Sequence, residues 1–99
     1  MDYDMRNVEQ TMKPQFIRLG CNEEVLKDPR KRDLRMLQLS RALKWGKVYR
    51  RKVKIQFKSK EGLMHYVDSS ICGITNEFVL LNDHIQILNQ AIIAIQFYE

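Results

Sequence analysis

A row of cations along one predicted strand is the feature of this sequence most able to bind a ligand directly. Arg50, Lys52 and Lys54 are spaced two residues apart, and Lys58 continues the row. Side chains two residues apart in a β-strand leave the same face at intervals of roughly 6.6 Å, because a strand rises about 3.3 Å per residue. Cations at this pitch can follow the phosphates of an extended nucleic-acid strand. The pattern predicts a phosphate-binding ladder, and its alternative is the solvated face of an amphipathic strand.

Two further groups of residues could join the same site. Trp45 and Tyr49 precede the row and, if exposed, could stack on bases at about 1–3 kcal/mol each. Their alternative is a place in the core under the end of a helix. A second basic cluster occupies the first turns of the predicted helix and comprises Arg30, Lys31, Arg32 and Arg35. Cations at the N-terminus of a helix oppose its macrodipole and so lower its stability slightly. A role in binding would explain their presence, and so would chance.

The charge of the chain is distributed unevenly. The formal net charge is +5 over 99 residues, but residues 27–54 hold twelve basic and two acidic side chains, a net charge of +10. The remainder is therefore at −5, and no Lys or Arg follows Lys60. A surface of this polarity suits a polyanion. The alternatives are a solubilising face and a patch that meets the acidic part of a neighbouring copy.

Catalytic, metal and cofactor sites are not predicted. The available soft ligands share no close ligand spacing: they are Cys21, His65, Cys72 and His84. The adjacent serines Ser69 and Ser70 lack the strand-turn-helix elbow that exposes a nucleophile. The four glycines are too widely spaced for a phosphate-cradling loop. These observations indicate a protein that is not an enzyme.

Length and cysteine usage predict one domain in a reducing compartment. A chain of 99 residues fits a single domain. Two distant cysteines, with no apolar stretch near Met1, predict free thiols in the cytoplasm. The longest apolar run, Ala91–Ile95, falls short of the roughly 20 residues needed to span a bilayer. We therefore expect no membrane partner.

One helix must position the basic residues. Residues 1–27 predict an irregular arm, and residues 28–99 predict a helix followed by a small β-barrel. The helix is predicted over Pro29–Lys44, with Asp28 as its N-cap and Gly46 as its C-terminal stop. Its apolar residues form two stripes: Met36, Leu39 and Leu43 in one, and Leu34, Leu37 and Trp45 in the other. We expect one stripe to pack on the core and the other to lie against the arm or a neighbouring molecule.

Five strands are predicted after the helix. The period of two begins at Val48 and runs to Lys58. Polar turns then separate a long strand over 63–75, bent near Ser69-Ser70 or Gly73, from strands over 78–81, 84–88 and 91–97. Short strands joined by tight turns favour a strongly bent antiparallel barrel. The last strand has apolar groups on both faces at Ile92, Ile93, Ile95 and Phe97, which predicts barrel closure or pairing in a homo-oligomer.

The order of these elements resembles the Sm-like barrels, the family that includes the Sm proteins and Hfq. The resemblance covers residues 28–97 and rests on the apolar spacing of two segments: Val53-x-Ile55-x-Phe57 with Ile71-x-x-Ile74 and Val79-x-Leu81, and then Ile85-x-Ile87 with Ile92-x-x-Ile95. It implies a five-stranded barrel and a ring-like homo-oligomer. The Arg-Gly pair that helps form the family's RNA pocket has no equivalent between Asn82 and Ala91, so the family's uridine-binding residues are not carried over.

Taken together, the residues predict a non-enzymatic, Sm-like oligomeric module that binds nucleic acid through a basic surface, with RNA favoured over DNA. The alternative is a structural or assembly protein that uses the barrel and the basic face for protein–protein interaction.

Overall fold

Seven strands and one long helix form the part of the chain that the computed structural model describes, residues 16–82 and 84–98. In chain order they are β1 (Ile17–Leu19), α1 (Pro29–Tyr49), β2 (Val53–Lys58), β3 (Met64–Ser69), β4 (Ile71–Ile74), β5 (Phe78–Leu81), β6 (Ile85–Leu88), a turn of 3₁₀ helix (Asn89–Ala91) and β7 (Ile92–Phe97). The chain is therefore mainly β with one helix. That helix is not the first element, because β1 precedes it within the predicted arm, whose residues 1–15 lie outside the described range.

The strands form two sheets rather than a closed barrel in the described part of the chain. One sheet has the order β1-β6-β5-β4 and the other the order β3-β2-β7. The two sheets are joined where β3 ends and β4 begins, and only Ser70 separates these strands. The bend thus falls where the sequence predicted it, next to the buried Ser69. All pairings are antiparallel except that of β1, which runs parallel to β6 and covers its outer edge.

Strand β2 is the centre of the smaller sheet and supplies much of the core. Val53, Ile55 and Phe57 are buried, and Lys54 and Gln56 between them are half-buried on the other face. This alternation is the period of two that the sequence displays. The remaining core comes from the helix and the other strands: Leu39, Ala42, Ile71, Val79, Leu81, Ile87, Ile92 and Ile95.

The two-faced pattern of β7 has a local cause. Gln56 pairs with Ala94, whereas the next residue, Phe57, pairs with Ile92, so Ile93 is an extra residue on β7. Such a bulge reverses the alternation of side chains along a strand. Ile92 and Ile95 therefore both face the core, and both are buried. The apolar residues on both faces of β7 are thus explained by packing within one chain. The homo-oligomer inferred from them stays a prediction.

Helix α1 begins as predicted and ends later than predicted. The Asp28 carboxylate accepts a hydrogen bond from the Arg30 amide at 3.0 Å, and Pro29 occupies the first position. The predicted stop at Gly46 is wrong, because the helix continues to Tyr49 and is capped by Arg50 in the left-handed conformation, at φ 54°.

Gly46 instead allows α1 to lie directly on β4. A β-carbon at this position would be 2.7 Å from the Ile71 carbonyl oxygen and 3.2 Å from its amide nitrogen. The inward row of the helix is formed by Arg35, Leu39, Ala42 and Gly46, at spacings of four, three and four residues. Because this row contains a cation and a glycine, apolar periodicity alone could not identify it.

The cation of the inward row is neutralised inside the protein. Arg35 donates two hydrogen bonds to the Glu24 carboxylate, at 2.6 and 2.8 Å, and a third to the Ile92 carbonyl oxygen at 2.9 Å. Partial burial by itself would raise the pKa of Glu24. The hydrogen bonds from Arg35 and the Leu26 amide, with the charges of Arg35 and Arg32, outweigh this effect and hold the pKa below its usual value. This pair joins the segment after β1 to the helix and to β7.

Gly46→Ala is expected to lower the free energy of unfolding by about 1–2 kcal/mol, because the clash with the β4 backbone exceeds the gain in helix propensity of about 1 kcal/mol. Urea unfolding measures the change. Ser40→Ala, an exposed substitution in the same helix, is the control and should be neutral or slightly stabilising. Equal stabilisation by both alanines would contradict the close approach of α1 to β4.

Glu24→Gln is expected to destabilise the fold by about 1–3 kcal/mol near neutral pH, because it leaves the buried Arg35 guanidinium without its counter-charge. A carboxylate with a lowered pKa stabilises the fold above its unfolded-state pKa, and this contribution is lost as the pH falls through the folded-state pKa. The difference between wild type and variant should therefore be full near neutral pH and shrink as the pH falls through the lowered pKa of Glu24. Urea unfolding at several pH values measures it, with the exposed Glu23→Gln as control. A difference that does not change with pH would contradict the assignment.

Candidate nucleic-acid interface

The predicted ladder of cations does not lie on one strand. Arg50 caps α1, and Lys52 lies in the connection between α1 and β2, so only Lys54 and Lys58 are on a strand. The reason is that α1 is longer than predicted. Val48 and Tyr49, which the period of two assigned to the strand, form the end of the helix. The row that a continuous strand would have aligned is divided between two elements.

The outer face of β2 is a poor phosphate-binding surface. Lys54 is half-buried, lies opposite Asp68 on β3, and holds its ammonium 5.2 Å from the centre of the Tyr66 ring. Asp68 also accepts a hydrogen bond from the exposed Tyr98 hydroxyl, and this bond, with slight desolvation and the charge of Asp68, raises the pKa of Tyr98. Lys58 is half-buried too. A carboxylate beside one of the two lysines weakens the attraction of this face for phosphate.

Three other cations converge at the C-terminal end of α1. Lys47, Arg50 and Lys52 line an open groove of about 440 Å³, and Ser70 and Asn82 contribute its polar wall. The groove forms where the last turns of α1 lie on the start of β4. The Asn82 backbone N–H donates a hydrogen bond to the Ser70 carbonyl oxygen at 3.1 Å. This bond holds the two residues side by side next to the paired strands β4 and β5. Cations and hydrogen-bonding side chains thus surround one surface cavity, the basic groove.

The cations of the basic groove are available to a ligand. Lys47, Arg50 and Lys52 are exposed, and the only ion pair within 4.0 Å between described residues is that of Arg35 with Glu24. No acidic residue occurs in the sequence from residue 34 to residue 60. The C-terminal end of a helix attracts cations, so the fold itself favours positive charge here. Among residues 16–82 and 84–98, therefore, no ion pair neutralises the cations of the groove.

Trp45 belongs to an aromatic cluster and not to the exposed surface. Its ring is half-buried and meets Phe97 edge-on, with centroids 5.4 Å apart. The guanidinium groups of Arg41 and Arg51 lie 5.8 and 5.5 Å from the centre of the Trp45 ring. This arrangement supports packing under the helix end and leaves little of the ring for a base. Tyr49, by contrast, is exposed and meets the Trp45 ring edge-on, with centroids 6.0 Å apart.

The basic cluster at the start of α1 is remote from the groove. Arg30 and Lys31 are exposed and Arg32 is half-buried, whereas Arg35 is buried against Glu24 and cannot meet an external ligand. Arg30 and Arg50 are twenty residues apart, or roughly 30 Å along a helix. The ten residues predicted from the sequence therefore do not form one site.

Sequence reasoning did not assign Lys47, Ser70 or Asn82 to the site. Lys47 belonged to the basic segment but lay beyond the predicted end of the helix, and Ser70 and Asn82 were considered only as positions of a bend and a turn. Neither is close in sequence to the helix, and only the packing of α1 on β4 brings them to it.

The described residues contain no cluster of three or more His, Cys, Asp or Glu side chains arranged to hold a metal ion. Within the same range, the helix is too polar to cross a membrane. Comparisons with protein-family models, with curated proteins and with solved structures find no match to this chain.

Arg50→Gly should raise the free energy of unfolding by about 1 kcal/mol, because glycine adopts the left-handed cap conformation without the steric cost that arginine bears. Arg50→Ala keeps that cost and removes the same charge, so it should not stabilise the protein. Thermal unfolding of both variants measures the difference. Equal stability of the glycine and alanine variants would contradict a strained cap at this position.

Proposed function

We propose that this chain is a non-enzymatic module that binds nucleic acid, with the basic groove as its phosphate-binding site. The observation that carries the proposal is the convergence of three exposed cations, with no ion-pair partner among the described residues, and of Ser70 and Asn82 around one cavity. Ammonium and guanidinium groups neutralise phosphate, and the hydroxyl and amide groups can donate hydrogen bonds to phosphate or sugar oxygens. Such contacts position a nucleic-acid backbone without reading its sequence.

The surface around the groove extends the proposed site beyond a single phosphate. Arg51 is exposed in the connection after α1 and adds a positive charge next to Arg50 in the chain. Exposed Tyr49 adds an aromatic ring on which a base can stack. A polyanion that follows this surface would meet several cations in succession. This favours an extended single strand, and RNA is proposed ahead of DNA.

An Sm-like fold remains part of the proposal. Helix α1 precedes the small β-unit, β2 pairs with both β3 and β7, and β3 and β4 resemble one bent strand broken at Ser70. These features support the resemblance seen in the sequence. The proposed homo-oligomer and the cytoplasmic location are its corollaries. A partner copy that pairs with β6 would first have to displace β1 from that edge.

The groove is tested by comparing two double variants of equal charge. Lys47→Gln/Lys52→Gln should weaken binding and make the dependence of log K on log salt less steep by about 1.4, at roughly 0.7 per phosphate contact with a single strand. Lys54→Gln/Lys58→Gln removes the same charge from the outer face of β2 and is the matched control. It should change the slope much less. Fluorescence polarisation with a labelled oligouridylate of about 16 nucleotides, at several salt concentrations, provides both slopes.

If both double variants lose the same affinity for the oligouridylate, the loss reflects net charge alone, and this result would contradict a binding site at the groove. Wild-type protein that fails to bind either the oligouridylate or a DNA strand of matching sequence at low salt would overturn the proposed function. A steeper loss with DNA than with RNA on the same variants would overturn the preference for RNA.

A further inference from the structure

Helix α1 carries a second organised surface on the side opposite its inward row. Six residues follow one another there at spacings of four, three, four, three and four: Arg30, Leu34, Leu37, Arg41, Lys44 and Val48. This spacing places side chains on one face of a helix over roughly 27 Å. All six are exposed, and we refer to them as the outward stripe. One of its members, Arg41, extends its guanidinium over the Phe97 ring of β7, 4.7 Å from the ring centre.

The apolar members of the outward stripe are unusually open to solvent. Leu34 is 53% exposed, Leu37 is 68% exposed and Val48 is 59% exposed. The sequence predicted that Leu34 and Leu37 would be covered by the arm or by a neighbouring molecule. In the described part of the chain nothing buries them. Large apolar side chains aligned at the spacing of a helix–helix seam are typical of a surface that receives another helix.

The charges of the outward stripe decide what kind of helix fits. One cation, Arg30, precedes the two leucines, two cations, Arg41 and Lys44, follow them, and none of the six positions is acidic. A second copy in parallel would place Arg41 against Arg41. An antiparallel copy would place Leu34 against Lys44 and Leu37 against Arg41. Both arrangements set cations against cations or against leucines, so the stripe is not complementary to itself.

A nucleic acid or a lipid bilayer fits the outward stripe less well than a protein helix does. A nucleic-acid backbone would neutralise the cations but would leave Leu34 and Leu37 without an apolar partner. A helix that lies on a bilayer carries its cations beside a continuous apolar face, whereas here Arg41 and Lys44 interrupt the apolar line. A helix with leucines and carboxylates at matching positions satisfies both kinds of group.

We infer that the outward stripe docks an acidic amphipathic helix of a partner protein. The leucines of the stripe supply the apolar contact, and Arg30 and Lys44 pair with carboxylates of the partner. Arg41 lies over the Phe97 and Trp45 rings and adds its charge to the positive field. This surface is distinct from the basic groove, which lies where α1 meets β4, so the inference does not rest on the proposed function. A chain that holds both surfaces can connect a nucleic acid to an acidic protein.

The test uses the full chain and a labelled helical peptide with leucine at the seam positions and glutamate beside them. Leu34→Gln/Leu37→Gln keeps helix propensity and charge and should weaken peptide binding at least tenfold. Leu63→Gln/Met64→Gln removes two similarly exposed side chains, 60% and 56% exposed, from the β2–β3 hairpin and should leave binding unchanged. Replacement of the glutamates of the peptide by glutamine should weaken binding to wild type and remove its salt dependence. Fluorescence polarisation measures each affinity.

Several results would overturn the inference. Equal affinity for the acidic and neutral peptides, or equal losses in the two double variants, would exclude charge-selective docking at the stripe. Loss of oligonucleotide binding in Leu34→Gln/Leu37→Gln would assign the stripe to nucleic acid. A change of oligomeric state in that variant, measured by light scattering, would assign it to a second copy. Binding of wild type to phosphatidylserine vesicles that this variant abolishes would assign it to a lipid surface.

Discussion

The close contact between α1 and β4 at Gly46 is the constraint on which the rest of the structure depends. Because no side chain separates the two backbones there, Leu39 and Ala42 reach the core and the helix can continue past the glycine to Tyr49. The same contact sets the last turn of α1 beside the start of β4, which creates the basic groove. A wider separation would remove both the buried face of the helix and the polar wall of the site.

The helix divides its cations among three different environments. Arg35 is buried in the inward row, where Glu24 and the Ile92 carbonyl oxygen neutralise it, and it serves the stability of the fold. The cations at the C-terminal end, near Lys47, line the groove and remain unpaired among the described residues. Those of the outward stripe lie on either side of two exposed leucines. The cations of one basic segment therefore lie in one buried and two exposed environments, and the net charge of the segment distinguishes none of them.

Local features of the chain were predicted where the physical cause is also local. The cap at Asp28, the alternation along β2 and the break beside Ser69 each depend on a few neighbouring residues, and the structure contains all three. The errors arose where a distant contact decides the outcome. The helix passes through Gly46 because β4 packs against it, and β7 reverses its alternation because a bulge opposite Gln56 changes the register.

By itself, the sequence determined that this is a mainly β chain with one capped helix and that its positive charge is concentrated before and within the first long strand. These properties follow from composition, spacing and local hydrogen bonding. Only the tertiary structure decided which cations share a surface, because Lys47, Ser70 and Asn82 meet through packing between elements remote in sequence. It likewise decided that Arg35 is internal and Leu37 external, since both lie on the same helix and only the position of the sheets distinguishes its faces.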